Sequence, residues 1–230
     1  MRDCAAGRNG RRDGLAPPRW TSHPQGRKRP ITGGRPQSER AAQDHARILA
    51  AAARLFRLHG FAGAGMADLV REAGLRPGDF YQHFSSKDEL KVLAVASAAE
   101  HALAHWQAII AQHPAQPLAG WLDAYLSLEH RDDPGSGCPL AALAGDAAHE
   151  RAAVKGAMGA VARLLFAQLA ALGPAADERL QRRRAAATLA GMVGALMLSR
   201  AIPDDEFSAE VLHAVRESLT DPGSGRGVPP

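Results

Sequence analysis

Side chains that donate and accept hydrogen bonds are concentrated between Arg76 and Lys87. Around the apolar Phe80, this segment presents an arginine, an aspartate (Asp79) and a glutamine (Gln82). Arginine binds guanine and glutamine binds adenine through paired hydrogen bonds, while aspartate accepts one from cytosine. Three further side chains suit phosphate oxygens: Tyr81, His83 and Lys87. The segment is therefore a candidate DNA-contacting surface, and an ordinary solvated helix face is the alternative interpretation.

The elements around this segment form a helix-turn-helix pattern. Apolar residues recur at the spacing of one helical face from Met66 to Ala73, which predicts a helix there. Gly74 ends that helix, and Pro77 suits the first position of the next one, at about Pro77–Phe84. In such a unit the second helix enters the major groove and the first crosses the DNA backbone.

Further helices are predicted on both sides of this unit. A helix at about 41–59 precedes it and ends at Gly60. After it, Ser86 and Glu89 match a capping box that begins a fourth helix, which extends to about Gln112. Later helices are predicted at about 118–130, 139–148, 152–172, 176–202 and 205–219. Because no strand pattern occurs, the chain is predicted to be all-α with about nine helices.

Positive charge is concentrated at the N-terminus and not in the predicted helices. Residues 1–40 hold 10 Lys and Arg against 3 acidic residues, so the rest of the chain carries a net charge of −3. The basic pI therefore does not by itself predict nucleic-acid binding by the helical part. Residues 1–40 lack apolar periodicity and are predicted to be disordered, as either a basic arm that reaches DNA or a solvated tail.

The sequence also favours a soluble, cytoplasmic protein. The most apolar run, at 189–198, is about half the length of a membrane-spanning helix. No apolar segment follows the basic start, so no secretory signal is predicted. Cys4 and Cys138 lie far apart, which argues against a disulfide framework. No cofactor is predicted.

Residues 47–94 resemble the N-terminal domain of the TetR/AcrR family of bacterial transcriptional repressors. The resemblance is carried by Arg-Ile-Leu and Leu-Phe within 47–56, by Gly60-Phe61-x-Gly63, and by a spaced pattern of matching residues between Met66 and Lys87. It implies an all-helical homodimer that binds a palindromic operator and, through a variable C-terminal domain, a small-molecule ligand. It also implies phosphate contacts by Tyr81, His83 and Lys87, and base contacts by Arg76, Pro77, Asp79 and Gln82.

The resemblance divides the chain into four predicted segments. These are a disordered basic arm (1–40), a three-helix DNA-binding domain (41–92), a helical ligand-binding and dimerisation domain (93–219), and a disordered tail (220–230). One departure concerns Ala64 and Gly65, which stand where the family usually has threonine or serine. A hydroxyl that would cap the second helix is therefore absent.

Two surfaces are predicted in the C-terminal domain. Small and apolar residues of one late helix allow a partner helix to approach closely and predict a dimer interface, with packing inside one subunit as the alternative. The dimer residues are Ala187, Gly191, Gly194, Ala195 and Leu198. A mainly apolar ligand pocket is predicted among the middle helices, although its residues also fit a plain core. The pocket residues are Trp106, Trp121, Tyr125, Cys138, Met158 and Phe166.

Three alternatives to a ligand-responsive regulator remain open from the sequence. His101 and His105 have metal-ligand spacing, with His149 or Asp123 as a third ligand, although two surface or hydrogen-bonded histidines are the favoured interpretation. Cys138 precedes a predicted helix, where a thiolate would be favoured and could sense oxidants; a buried thiol is the alternative. A Cys138–His149 hydrolytic pair lacks an orienting acid, so the chain is predicted not to be an enzyme.

Overall fold

Ten helices make up the part of the chain that the structure describes. The computed structural model describes residues 35–76, 78, 80–173 and 177–220, and these residues form no strand. The all-α prediction is confirmed. The helices are α1 (Arg35–Gly63), α2 (Met66–Glu72), α3 (Phe80–His83), α4 (Lys87–Gln112), α5 (Pro117–Tyr125), α6 (Leu128–Asp132), α7 (Pro139–Ala147), α8 (Ala152–Leu172), α9 (Glu178–Ala201) and α10 (Asp205–Thr220).

Helix α1 begins at Arg35, six residues before its predicted start. The structure therefore differs from the prediction of a disordered segment up to residue 40, whereas residues 1–34 lie outside the described part. Residues 39–46 are mostly good helix formers such as alanine, glutamate and arginine. Since several of them are exposed and no apolar face is present, periodicity gave no signal for this first part of the helix.

A kink at Gly60 divides α1, because this glycine has a positive φ of 74°. The chain then makes one more helical turn, whose first backbone N–H belongs to Phe61. That N–H donates to Asp146 Oδ2 of α7 at 2.8 Å. The Phe61 ring is buried and lies edge-on to Phe56 at 5.3 Å between centroids. The turn after the kink therefore contacts the core through the Phe61 ring and α7 through the Phe61 backbone N–H.

The predicted helix at 118–130 is two helices, which corrects that prediction. Helix α5 ends at Tyr125, and α6 begins after Ser127, whose Oγ accepts a hydrogen bond from His130 N at 3.1 Å. This cap satisfies one of the unpaired N–H groups of a new helix. Helix α6 extends to Asp132, two residues beyond the predicted end at 130.

Helix α4 connects the N-terminal helices with the later ones. It packs against α1, α5, α7 and α8, while α9 packs against α8 and α10. Ser86 caps α4 as predicted, accepting from Glu89 N at 3.1 Å, and the Glu89 carboxylate returns to Ser85 N and not to Ser86 N. By length and composition α8 could cross a membrane, but this is weak evidence because it packs against α4, α7 and α9.

Candidate nucleic-acid interface and ligand cavity

The turn after α2 is closed by two backbone hydrogen bonds. Leu75 N donates to Val70 O and Gly74 N donates to Arg71 O, each at 3.0 Å. Gly74 has a φ of 67°, a left-handed conformation that a glycine adopts without steric cost. This arrangement is the Schellman motif that commonly ends helices. The predicted helix end at glycine is confirmed.

Helix α3 has one buried face and one exposed face. Phe80 and Phe84 are buried and stack on each other at 5.4 Å between centroids. On the opposite side, Tyr81 is 73% exposed and Gln82 is also exposed. The Tyr81 ring lies edge-on to Phe80 at 5.2 Å between centroids, and most of the side chain is open to an external partner.

The remaining predicted DNA-contacting residues of this segment differ in their surroundings. Arg76 is exposed, whereas His83 is half-buried and lies 6.1 Å from the ring of His45 on α1. His45 itself stacks on Phe84 at 4.6 Å, and burial, followed by His83, lowers its pKa. The predicted base-contacting residues Pro77 and Asp79 lie outside the described residues.

Lys87 holds two parts of this region together. Its Nζ donates to the backbone carbonyl of Ala64, which precedes α2, at 2.9 Å. Burial, followed by the charge of Lys91, lowers the pKa of Lys87. Gly65 caps α2 without a side-chain hydrogen bond, as its sequence predicts. The Lys87 ammonium has further N–H groups for a phosphate, but one donor is already used inside the protein.

The exposed α3 face therefore lies on a small helical cluster with the order and turn of a DNA-binding unit. Residues 48–92 match the family model described as bacterial regulatory proteins, tetR family. HTH-type transcriptional regulator LmrA from Bacillus subtilis (strain 168) is 39% identical over 56 residues, which are 24% of this chain and 30% of LmrA. Residues 48–92 therefore form a DNA-binding segment of the tetR type. The chain aligns with less than a third of the length of LmrA.

The TetR fold extends over the C-terminal helices as well. A TetR-family transcriptional regulator from Cytophaga hutchinsonii superposes with a TM-score of 0.66 at 20% identity, covering 78% of this chain and 94% of that one. A TetR transcriptional regulator from Chloroflexus aurantiacus J-10-FL gives 0.66 at 24% identity, covering 80% and 97%. At these identities the similarity shows a shared fold.

An open cavity of about 530 Å³ lies beside α4 in this TetR-family fold. We call it the α4–α6 cavity; its walls include His105, Trp106, Asp123, Glu129, His130 and Gly137. Trp106 is the predicted pocket residue that lines it. The structure places four others, Trp121, Tyr125, Cys138 and Met158, in the hydrophobic core, each at most 5% exposed. Phe166 lines a separate surface hollow, under the guanidinium of Arg182.

His130 is a buried residue of this cavity wall that the sequence did not identify. Its Nδ1 donates to Tyr125 O at 2.7 Å, and its Nε2 accepts from Cys138 N at 3.0 Å. The ring is therefore neutral, and its pKa is lowered to about 4, first by burial. Its ring neighbours include Trp106 of α4 at 5.1 Å between centroids. Its two hydrogen-bond partners are only five and eight residues away, but they lie on either side of α6 at spacings that no helical pattern marks.

The Cys138 thiol is unsuited to redox sensing. It is fully buried, and burial raises its pKa, although the nearby Tyr125 hydroxyl and backbone N–H groups of α7 act in the opposite direction. The prediction of a favoured thiolate is wrong, because desolvation outweighs the helix N-terminus. Cys138 and His149 lie at opposite ends of α7 and form no hydrolytic pair. Cys4 lies outside the described residues.

The two histidines with metal-ligand spacing have other contacts. His101 Nδ1 bonds to Ser97 O of its own helix at 2.9 Å, and His105 lies against the Trp106 ring at 4.7 Å. Asp123, a suggested third ligand, forms an ion pair with Arg216 at 2.9 Å. Within the described residues, no group of three His, Cys, Asp or Glu side chains is placed to hold a metal ion.

The predicted dimer residues fall into two groups. Ala187 and Leu198 of α9 are exposed, and a Cβ added to Gly194 would meet no atom within 4 Å. Gly191 instead packs against Leu219 of α10, where an added Cβ would lie at 3.3 Å. Ala195 is 3% exposed and belongs to the core of its own subunit, which corrects its placement on the outer face.

Proposed function

We propose that this chain is a dimeric transcriptional repressor of the TetR type that leaves a palindromic operator when a small molecule binds. Helix α3 enters the major groove, with Gln82 and Arg76 facing bases and Tyr81 facing a phosphate. The observation that carries the proposal is the exposed Tyr81–Gln82 edge of a short helix whose other face is packed by Phe80 and Phe84. The family match over residues 48–92 supports the same role.

Operator binding is tested first by DNase footprinting upstream of the protein's own gene. A protected palindrome with half-sites about 34–36 Å apart fits a dimer with two DNA-binding domains. Tyr81→Phe removes a hydroxyl without removing a packed ring, and it should weaken binding to every sequence by about tenfold, as expected for one hydrogen bond to a charged group. Unchanged binding would rule out the phosphate contact.

Base contacts and phosphate contacts give different signatures. Gln82→Ala should relax preference at one operator position, whereas Lys87→Gln should weaken binding to all sequences and make the salt slope shallower by about 0.9. Because Lys87 also bonds to Ala64 O, a thermal unfolding curve must accompany that variant. Gln107→Ala, an exposed glutamine on α4 away from α3, is the matched control and should bind as the parent does.

Ligand release requires that the C-terminal helices act on the DNA-binding ones. Lys91 Nζ of α4 contacts both carboxylate oxygens of Glu150, which follows α7, at 2.7 Å. Both side chains are largely buried, so a movement of α7 relative to α4 would disturb this ion pair. Repressor saturated with its ligand should bind operator more weakly than free repressor; equal binding would contradict ligand release.

The domain organisation and location of the protein are part of this proposal. We place a DNA-binding domain at 41–92 and a ligand-binding and dimerisation domain at 93–219, with α4 crossing the boundary. Removal of residues 1–34 or 221–230 tests whether these ends of the chain assist DNA binding; weaker operator binding would show that they do. A cytoplasmic, non-enzymatic regulator fits these features, and fractionation of producing cells tests the location.

A further inference from the structure

Two arginines from distant helices face one open cavity. The cavity has a volume of about 610 Å³ and lies where α1 meets α6, α7 and α9. Its wall includes Arg57 of α1, Arg131 of α6 and Arg200 of α9. We call it the junction cavity. Arg57 and Arg200 are both half-buried, so keeping their side chains charged costs folding free energy unless that charge is compensated.

Neither of these two guanidinium groups has an anionic partner among the residues that the structure describes. Arg57 Nε donates to Gly135 O at 2.8 Å, and its Nη2 donates to the same carbonyl. Arg200 donates to two carbonyls, from Nε to Arg131 O at 3.0 Å and from Nη2 to His130 O at 2.5 Å. Its Nη1 is buried without any hydrogen-bond partner. Carbonyl groups satisfy these donors but supply no negative charge in direct contact with either guanidinium.

The carboxylates of the cavity wall are already engaged elsewhere. Asp132 Oδ1 lies 2.7 Å from Arg131 Nε, and Asp205 Oδ1 lies 3.4 Å from Arg131 Nη1. Both acids therefore form their ion pairs with Arg131. The three arginines and two aspartates of the wall carry a net charge of +1, and neither Arg57 nor Arg200 forms an ion pair among the described residues.

Half-buried charges without a partner are costly, and a bound anion would offset that cost. Burial is the first cause that lowers the pKa of both Arg57 and Arg200; Asp133 opposes it at both, and Asp132 also opposes it at Arg200. Apolar side chains, among them Leu58, Ala142 and Met197, also line the cavity. An inorganic anion would make no apolar contact with these side chains. The walls fit an organic anion whose apolar part is larger than a methyl group.

We propose that the junction cavity binds a small organic carboxylate with an apolar body, its carboxylate held between Arg57 and Arg200. Guanidinium groups hold carboxylates through parallel N–H bonds, and Arg200 Nη1 has a donor to give. The apolar body lies against Leu58 and Ala142.

A ligand in this site would contact α1, which packs against the proposed DNA-binding helices. Its effect on operator binding rests on the proposed function. Arg57 belongs to α1, the helix that packs against α2 and α3. A carboxylate that competes with Gly135 O for Arg57 would change the contact between α1 and the loop before α7. The same ligand touches α9 through Arg200. Binding in the junction cavity is therefore coupled to operator affinity.

The binding test uses three carboxylates of increasing apolar size, benzoate, 2-naphthoate and dodecanoate, each with its neutral amide. Isothermal titration of the full chain should show one site per subunit and at least a tenfold preference for a carboxylate over its amide. Arg57→Gln and Arg200→Gln should each weaken carboxylate binding at least fivefold and leave amide binding unchanged. Arg184→Gln, an exposed arginine of α9 outside the cavity wall, is the matched control.

A steric variant protects the test against loss of folding. Arg200 also donates hydrogen bonds to two backbone carbonyls, so Arg200→Gln could destabilise the fold. Its binding data are used only if its melting temperature, measured by circular dichroism, equals the parent's. Ala142→Phe fills the cavity without touching a charge and should abolish binding. Equal affinity for all three acids and their amides, or full affinity in Ala142→Phe, would overturn the site. Footprinting distinguishes the two proposals. Operator binding without any preference for carboxylates would contradict the junction-cavity site alone. Absence of operator binding would contradict the proposed repressor function.

Discussion

At the scale of residues, the buried imidazole of His130 links stability to pH. Its pKa is lowered from 6.5 to about 4, first by burial. Because the folded-state pKa lies below the unfolded one, this stabilisation is present above about pH 6.5 and is lost as the pH falls toward 4. We expect the free energy of unfolding to fall by about 2 kcal/mol between pH 7 and pH 5 from this group. Urea unfolding at both pH values measures it.

The control for that prediction is His130→Gln, with the other histidines unchanged. The glutamine cannot keep both hydrogen bonds of the ring, to Tyr125 O and from Cys138 N, in the same geometry. The variant should be less stable at pH 7 but should lose about 2 kcal/mol less than the parent on acidification. If both proteins lost the same stability, His130 would not be the neutral group described above.

Position 137 requires a glycine because the His130 ring leaves no room for a side chain there. An added Cβ would lie 2.5 Å from His130 Nε2 and 2.7 Å from its Cδ2. Since two hydrogen bonds fix the ring, Gly137→Ala should cost about 1–3 kcal/mol of stability. The matched control is Gly145→Ala inside α7, where a Cβ meets no atom within 4 Å and should stabilise by about 0.5–1 kcal/mol. Urea unfolding of both variants checks the contrast, and an unaffected Gly137→Ala protein would refute it.

At the scale of elements, Asp146 fixes the kink in α1 from a different helix. Its Oδ2 accepts from Phe61 N at 2.8 Å, directly after the left-handed Gly60. Asp146→Ala leaves that part-buried N–H unpaired and should cost about 1–3 kcal/mol. Asp146→Asn retains an oxygen acceptor and should cost less than half as much. Thermal unfolding compares them, and equal losses would mean that the negative charge matters more than the hydrogen bond.

Helix ends could be predicted wherever a local signal determines them. Helix α8 spans Ala152–Leu172 as predicted, because Gly173 and the proline after it end the apolar pattern. The break between α5 and α6 could not be predicted, since apolar spacing continues across it. The break depends on Ser127 Oγ accepting a hydrogen bond from His130 N. Without that bond, a helix that continues through residue 127 would fit the sequence equally well. Periodicity cannot distinguish the broken helix from the continuous one.

The exposed face of α3 was predictable from sequence, but the cavities were not. Phe80 and Phe84 determine which face of α3 is buried, so the opposite residues had to be exposed. Arg57 and Arg200, by contrast, resemble ordinary surface arginines in the sequence. Their carbonyl partners lie 78 and 69 residues away along the chain, and those contacts exist only in the folded protein. The site therefore depends on tertiary packing that helical periodicity does not encode.

At the scale of the whole molecule, we propose the outer faces of α9 and α10 as the surface that would bind a second subunit. Leu198 is 59% exposed and Phe207 is 52% exposed, and Gly194 lies open beside them. Exposed large apolar side chains grouped around small residues are typical of protein–protein interfaces. In a two-fold symmetric dimer each residue of this face occurs twice, so one substitution acts at two places.

We expect the double variant Leu198→Glu with Phe207→Glu to be monomeric, because the symmetric interface would bury four unpaired carboxylates. Sedimentation equilibrium measures the mass. Loss of the dimer should also weaken binding to a two-half-site operator by more than tenfold while leaving single half-site binding unchanged. Leu128→Glu, which charges an exposed leucine on α6, is the control and should remain dimeric. A dimeric double variant would place the interface elsewhere.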